Sequence, residues 1–163
     1  MKTIIASLLD FLTIELTVLL TAALPIIELR GAIPVGISLG LSPAHATILS
    51  IIGSLIPVPF ILFTIRPIFN YLKDTRTFRK VVHKLTDRSL NNNGGRIQKY
   101  GAWGLIIIVA IPLPGTGVWS GSLIASLMDI RFKWAFPAIL LGNIIAGMLI
   151  MGISNGVIGV FSQ

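Results

Sequence analysis

The chain has 163 residues, of which 54% are hydrophobic and 12% are charged, and its formal net charge is +7. Soluble domains average about 25% charged residues, so this composition indicates an integral membrane protein. Cysteine is absent and only two histidines occur, which excludes disulfide and thiolate chemistry and leads us to expect neither a metal site nor a cofactor.

The first apolar stretch, residues 3–24, predicts a helix of about six turns, long enough to cross a hydrocarbon core of roughly 30 Å. Asp10 and Glu15 interrupt this stretch. They favour a shorter, tilted or interfacial helix and argue against a cleaved signal peptide. The orientation of the N-terminus stays open, since a full span places Lys2 inside and a re-entrant helix places it outside.

Residues 25–41 combine charge with helix-breaking residues inside an apolar stretch. Glu28 and Arg30 stand beside Gly31 and Pro34. A charged side chain at the bilayer centre costs roughly 2.5–3.5 kcal/mol on insertion scales, so such residues are usually functional. Irregular backbone at membrane depth persists only where it is buried in protein or lines a wet cavity. We therefore predict a re-entrant loop over 25–41 that carries the first part of a site.

A full membrane span follows at residues 44–65. Ser42 and Pro43 have the residue types of a helix N-cap and first position. Pro57 and Pro59 lie inside the span, and each lacks an N–H donor, so we expect a bend there.

The segment 71–98 is basic and polar. From Tyr71 to Leu90, apolar residues recur at helical spacing, which predicts an amphipathic helix that either lies on an anionic leaflet or is a solvated connection. By the positive-inside rule this segment is cytoplasmic. Because the basic residues do not decorate a soluble fold, we expect no nucleic acid partner. The basic residues in and next to this segment are Arg66, Lys73, Arg76, Arg79, Lys80, Lys84, Arg88, Arg96 and Lys99.

A second broken segment lies within residues 100–128, which contain no charged residue. Charges return at Asp129, so the stretch enters from the cytoplasmic side and returns to it, as a second re-entrant segment. The last apolar stretch, 134–161, predicts a final span. The residues of the break that we assign to the candidate site are Pro112, Pro114, Gly115, Thr116 and Gly117.

The two broken segments predict an internal repeat. The glycine pairs 36/40 and 117/121 are equally spaced at an offset of 81, whereas Gly53 and Gly142 differ by 89, which would require about eight extra residues near 129–136. A single crossing between the halves makes the second inverted relative to the first, which is a transporter architecture. The alternative is that glycine and proline only permit tight packing in a small bundle.

The predicted fold is therefore an all-α integral membrane protein with an inverted repeat, each half being a re-entrant helical hairpin plus a transmembrane helix. The first repeat is 1–70, the cytoplasmic amphipathic helix and loop are 71–98, and the second repeat is 99–163.

The runs Glu28-Leu-Arg-Gly-Ala-Ile-Pro34 and Pro112-Leu-Pro-Gly-Thr-Gly117 resemble the small multidrug export protein family, a branch of the DedA (VTT-domain) superfamily. The resemblance covers nearly the whole chain. It implies two facing re-entrant loops and movement of lipids or lipid-linked carriers such as undecaprenyl phosphate, often coupled to protons. It also implies charged residues in both loops, and residues 105–128 have none, so the second arginine expected for a phosphate headgroup is missing.

Glu28 could take up and release a proton during transport, and Arg30 could bind a phosphate through two N–H groups. Glycine N–H groups near Gly31 and at 115–117 would add positive potential without side-chain charge. A structural salt bridge between Glu28 and Arg30 is the alternative. Asn143 and Asp129 are secondary candidates, Asn143 as an interhelical hydrogen-bonding residue.

Three functions remain open. The favoured hypothesis is a transporter or scramblase for an anionic lipid or lipid-linked phosphate, proton-coupled and dimeric. The second is a proton-coupled exporter of cationic drugs, which the neighbouring Arg30 disfavours. The third is a membrane scaffold whose basic helix binds partners. We do not expect an enzyme, because no nucleophile, base and orienting group gather in one segment. The expected partners are membrane lipids, a lipid or small-molecule substrate and a second copy of the chain.

Overall fold

The computed structural model describes residues 2–73, 94–113 and 115–161, with side chains described between Leu12 and Ile68 and between Tyr100 and Gly156. The predicted amphipathic helix between Tyr71 and Leu90 lies almost entirely outside the described residues, and so does Pro114. Every regular element in the described ranges is a helix, in agreement with the all-α prediction. These helices are α1 (Lys2–Ala23), α2 (Glu28–Ser38), α3 (Pro43–Leu55), α4 (Pro57–Lys73), α5 (Gly94–Ala110), α6 (Val118–Leu127) and α7 (Phe132–Phe161).

Two helical stretches of the described chain are long and apolar enough to cross a membrane, Pro43–Ile65 and Phe132–Ser154. The first contains the expected bend, since α3 ends at Leu55 and α4 begins at Pro57. Proline lacks the N–H that would continue the helical ladder, and the Ile56 N–H turns to the Gly53 carbonyl at 3.3 Å. By length and composition these stretches agree with the prediction of a membrane protein.

The start of α3 agrees with its sequence signature. The Ser42 hydroxyl accepts a hydrogen bond from the His45 N–H at 3.3 Å, and Pro43 occupies the first helical position. This cap satisfies one of the N–H groups that a helix N-terminus leaves without an intrahelical acceptor.

Helices α1 and α2 form a hairpin. The prediction of an irregular loop over 25–41 is wrong for most of that range, which is helical. The chain turns at 24–27 and then runs as regular α2, with Pro34 inside the helix. A proline removes one backbone hydrogen bond, but α2 buries a continuous face of Leu29, Ala32 and Ile33. Burial of that face stabilises the helix despite the lost bond.

Helices α2 and α6 end in the same way, with the chain entering the left-handed region at Gly40 (φ 96°) and at Asp129 (φ 55°). The Leu41 N–H then bonds the Gly36 carbonyl at 3.0 Å, and the Ile130 N–H bonds the Ala125 carbonyl at 2.9 Å. This is the Schellman arrangement of a helix C-terminus. Gly40 and Asp129 are 89 positions apart, and so are Leu41 and Ile130.

The glycine pairs aligned at an offset of 81 occupy unlike positions, so that part of the sequence alignment is wrong. Gly36 and Gly40 lie at the end of α2, whereas Gly117 and Gly121 lie at the start of α6. The turns after α2 and α6 have the same hydrogen-bond pattern at an offset of 89, and this offset requires no insertion near 129–136. Equal spacing of the glycines did not identify equivalent positions, because glycine occurs both at helix ends and at helix contacts.

Close helix packing surrounds these hairpins, with α1 beside α3 and α5 beside α7. A Cβ at Gly53 would overlap the Leu19 carbonyl oxygen of α1, and one at Gly142 would lie 2.8 Å from the Ile106 carbonyl oxygen of α5. Both glycines therefore let a neighbouring backbone approach. They are the pair that the sequence placed 89 apart.

Candidate functional site

The turn of the first hairpin meets the break between α5 and α6. We call this contact the junction and define it as Ala23, Glu28 and Arg30 together with residues 111–119. The break at 111–117 is irregular wherever the structure describes it, as the prolines and glycines predicted. The structure thus brings Glu28 and Arg30 of one hairpin to the break of the other.

Arg30 holds the C-terminal end of α5. Its guanidinium donates hydrogen bonds to the Leu113 carbonyl, to the Ile111 carbonyl at 3.1 Å and to the Thr116 hydroxyl at 2.8 Å. The last carbonyls of a helix have no partner within the helix, and they form the negative end of its dipole. The Ile111 and Leu113 carbonyls follow the last residue of α5 and also accept the Leu113 and Thr116 N–H groups at 2.9 and 3.2 Å. The guanidinium adds further hydrogen bonds and a positive charge at the negative end of α5.

Thr116 forms hydrogen bonds within the break. Its hydroxyl oxygen lies 2.7 Å from the Ile111 carbonyl oxygen and 2.8 Å from that of Leu113, and it accepts from the Leu113 N–H at 3.3 Å. A hydroxyl has one proton, so it donates to one of these carbonyls at a time. Thr116 therefore shapes the loop that presents the carbonyls to Arg30.

Glu28 holds the N-terminal end of α6. Its side chain is 4% exposed, and Oε1 accepts the Trp119 N–H at 3.1 Å. The Val118 N–H lies close enough to stabilise the same carboxylate. Helix N-termini present free N–H groups and positive potential, and Gly117 has no side chain to satisfy them. A carboxylate from another helix performs the capping role instead.

Two backbone features make this cap possible. Gly117 has φ 131°, and a Cβ there would overlap the Glu28 carboxylate. Glu28 itself has φ 50°, in the left-handed region that costs a non-glycine residue on the order of 1–3 kcal/mol. Strain of this kind clusters at functional sites, because the surrounding contacts must maintain it.

Trp119 is the junction residue that the sequence analysis missed. Its indole Nε1–H donates to the Ala23 carbonyl at 3.2 Å, at the C-terminal end of α1. The available signal was a tryptophan two residues after the Pro-Leu-Pro-Gly-Thr-Gly run, since a buried indole N–H usually finds an acceptor.

Glu28 and Arg30 do not form the salt bridge that was the alternative expectation. Both side chains are described, and their hydrogen bonds go to opposite ends of the break. In the first half, a contact between a carboxylate and an imidazole joins Glu15 of α1 to His45 of α3, with Oε1 and Nε2 at 2.9 Å. The sequence analysis missed that pairing, because the two residues are separated by thirty positions.

The remaining predicted site residues lie around the junction or away from it. Pro112 is part of the break, and Gly115 turns it with φ 85°. Gly31 packs against Ile27, and Pro34 is exposed on α2. These two residues position α2 and make no described polar contact at the junction.

Asn143 and Asp129, the secondary candidates, lie outside the junction. Asn143 is fully buried between α7 and α3, where its amide donates to the Ser54 hydroxyl at 2.8 Å. This is the interhelical hydrogen bond that the sequence predicted. Asp129 ends α6 and is exposed, so its described role is to turn the chain.

A family model described as Putative small multi-drug export protein matches residues 28–149. The chain belongs to this family. The match begins at Glu28 and includes Arg30 and the whole break of the junction. The description of the family agrees with a membrane protein and suggests export. A search of the curated proteins and a search of the solved structures found no match.

Proposed function

We propose that this protein is a membrane transporter that moves an anionic lipid or a lipid-linked phosphate through the junction, with Glu28 carrying the coupled proton. The observation behind the proposal is that two charged residues of one hairpin hold the two helix ends of the other. Such a contact has two arrangements, held and released. A transporter needs an element of this kind to alternate access between the two sides.

The proposal includes an inverted repeat of two re-entrant hairpins, each followed by a span. Reciprocal contacts support it. Arg30 and Trp119 are 89 positions apart, and each donates to the C-terminal end of a helix in the other half, Arg30 to Ile111 and Trp119 to Ala23. A two-fold relation generates reciprocal contacts of this type.

Two further contacts join positions that are 89 apart. Glu28 lies against Gly117 at the junction, and Ser54 accepts the Asn143 amide between α3 and α7. A residue that touches its own equivalent lies near the symmetry axis. The axis of the proposed repeat would therefore pass through the junction, where inverted-repeat transporters place their substrate.

The orientation follows from charge. The basic residues of 66–99, together with Arg131 and Lys133, put the ends of α4 and α6 on the cytoplasmic side. Helix α1 runs in the same direction as α3, since Glu15 contacts His45 and Leu19 approaches Gly53. The first hairpin then enters from the outside and the second from the cytoplasm, in a prokaryotic plasma membrane.

Glu28 suits proton coupling because its charge is what caps α6. A carboxylate accepts N–H bonds more strongly than a carboxylic acid. Proton uptake would therefore weaken the hold on α6, and proton release would restore it. The proton gradient would in this way bias the junction between its two arrangements.

Arg30 suits an anionic headgroup because its present partners are neutral. A phosphate oxygen forms shorter and stronger bonds with a guanidinium than a carbonyl does. A phosphate arriving at the junction would compete for Arg30 and free the C-terminal end of α5. Substrate binding and opening of the second hairpin would then be one event.

The test uses the full chain in liposomes with an imposed pH gradient and measures the flux of a fluorescent lipid-linked phosphate. We expect Arg30→Ala to lower the flux about 10- to 100-fold, the effect of losing charge-assisted hydrogen bonds of roughly 1.5–3 kcal/mol. Glu28→Gln should leave a flux that no longer responds to the gradient. Glu15→Gln, which changes a carboxylate outside the junction, is the matched control. Undiminished, gradient-dependent flux in both junction variants would overturn the proposal.

A proton-coupled exporter of cationic drugs is the second candidate, and the name of the matched family favours it. In that case Glu28 would bind the proton and the cation in turn. A cationic dye measured in the same liposomes separates the two functions. Dye flux that Glu28→Gln abolishes, with no lipid flux in the parent, would establish drug export instead.

A further inference from the structure

The second hairpin contains an apolar groove between its two helices. The cavity has a volume of about 350 Å³, and its walls come from α5 and from α6 with its C-terminal residue. Leu105 is 1% exposed, whereas Tyr100 is 71% and Met128 is 48% exposed. The groove therefore has a buried floor and an open end. Its principal lining residues are Tyr100, Gly104, Leu105, Ile108, Ile124 and Met128.

Glycine leaves this space open. A Cβ at Gly104 would meet no atom within 4 Å. Glycine inside a helix is less favourable than alanine, and here no close neighbour requires it. The space beside Gly104 is empty, which suits a helix surface that binds a molecule from outside the chain.

The dimensions of the groove match one leaflet. Eight residues separate Tyr100 from Ile108, which corresponds to roughly 12 Å of α5 at 1.5 Å per residue. Half of a typical hydrocarbon core is about 15 Å. The groove thus extends from the end of the hairpin towards the junction over the depth that one acyl chain occupies.

Basic residues stand at the open end. Gly101 of α5 contacts Ile130, which lies in the turn between α6 and α7. Arg131 and Lys133 follow directly and are exposed. Tyr100 supplies a phenol at the same end, and tyrosine prefers the membrane interface. A headgroup at this end would meet positive charge while its chain enters an apolar groove.

The first hairpin is closed at the corresponding place. Val18 and Ala22 of α1 and Ala32 of α2 form one buried cluster. Exposed apolar side chains such as Leu16 and Ile107 occur on both hairpins, whereas the groove with a buried floor lies between α5 and α6.

We propose that the groove holds one acyl chain of an anionic phospholipid from the cytoplasmic leaflet, with the phosphate at Arg131 and Lys133. This deepens the proposed function and rests on it in one respect, namely that the bound lipid is the substrate on its way to Arg30. The binding itself stands on the groove and on the charges at its open end.

The test uses the full chain in liposomes that contain phosphatidylglycerol with a photoreactive group on its acyl chain. After illumination, mass spectrometry locates the adducts. We expect adducts on peptides that contain 100–108 and 124–128, and we expect Gly104→Leu to reduce them at least fivefold by filling the groove. Gly152→Leu is the control, because a Cβ there also meets nothing within 4 Å and lies on α7.

Photoreactive phosphatidylcholine should label the groove less than phosphatidylglycerol, and Arg131→Ala with Lys133→Ala should remove the difference. Adducts that Gly104→Leu leaves unchanged would overturn the proposal. Unchanged adducts with a shift in oligomeric state would identify a second copy as the occupant. Lipid flux is scored separately, so groove labelling that persists in Arg30→Ala without flux separates this binding from transport.

Discussion

The two helical hairpins meet at one junction and contribute opposite kinds of chemistry to it. The first supplies charged side chains, Glu28 and Arg30, and the second supplies backbone carbonyls that follow α5 and backbone N–H groups at the start of α6. Neither set is stable alone, since a buried charge and an uncapped helix end each cost free energy. The comparison shows that a site can lack charge in one half and still be electrostatically complementary.

Gly117→Ala is expected to separate the two hairpins most completely. The added methyl group would displace the Glu28 carboxylate, and φ 131° is unfavourable for alanine. We expect a loss of flux of more than tenfold and a loss of stability of at least 1–3 kcal/mol. Flux assays and thermal unfolding in detergent measure the two effects. Gly152→Ala, at a helical glycine of α7 with an open neighbourhood, is the matched control and should be neutral or stabilising. Equal losses in both variants would contradict the capping role of Glu28.

Arg30→Lys tests whether the geometry of the guanidinium matters or only its charge. The two terminal nitrogens of the guanidinium reach different carbonyls, Leu113 from one and Ile111 from the other, and an ammonium group has a single nitrogen. We expect about a tenfold loss of flux with the protein still folded. Flux equal to that of the parent would show that a point charge is sufficient at this end of α5.

Thr116→Val removes the hydroxyl while keeping the shape of the side chain. The break would lose an internal hydrogen bond and Arg30 would lose one acceptor. We expect a destabilisation of about 1–2 kcal/mol, measured by chemical unfolding. Thr116→Ser restores the hydroxyl and should recover most of it; failure of serine to do so would assign the effect to the methyl group.

Trp119→Phe tests the reciprocal contact from the second hairpin. Loss of the Nε1 donor leaves the Ala23 carbonyl without this partner. We expect a cost near 1 kcal/mol and a small change in flux, since a neutral hydrogen bond contributes less than a charged one. If Trp119→Phe lowered flux more than Arg30→Lys does, the contact from the second hairpin would be the more important of the two.

Glu15→Gln should have the smallest effect. The pair with His45 joins α1 to α3 within the first half and is partly exposed. Pairs of this kind contribute about 0–1 kcal/mol. Thermal unfolding should shift by a degree or two at most, and flux should not change.

Much of this arrangement was predictable from local signals. The prolines at 57 and 59 predicted the bend after α3, and the Pro112 to Gly117 run predicted an irregular break. Gly53 and Gly142, 89 positions apart, are each needed for a close backbone contact, and 89 is the offset of the proposed repeat. These features depend on residues near in sequence or on the absence of a side chain.

The rest depends on tertiary contacts that one sequence does not display. Pro34 and Gly31 suggested a broken loop, but the buried face of α2 made it helical. Arg30 was expected to face a carboxylate or a phosphate and instead meets backbone carbonyls, which carry no signature in the side-chain sequence. The partner of Glu28 was likewise a backbone N–H.

The carbonyl partners of Arg30 have a consequence for how this protein can vary. A backbone oxygen is present whatever residue occupies the position, so Ile111 and Leu113 can exchange for other apolar residues while the contact persists. A carbonyl also does not titrate, so this half of the junction keeps its strength at any physiological acidity. The end of the break that Arg30 holds therefore tolerates substitution and does not respond to pH. The end that Glu28 holds is sensitive to substitution and to pH.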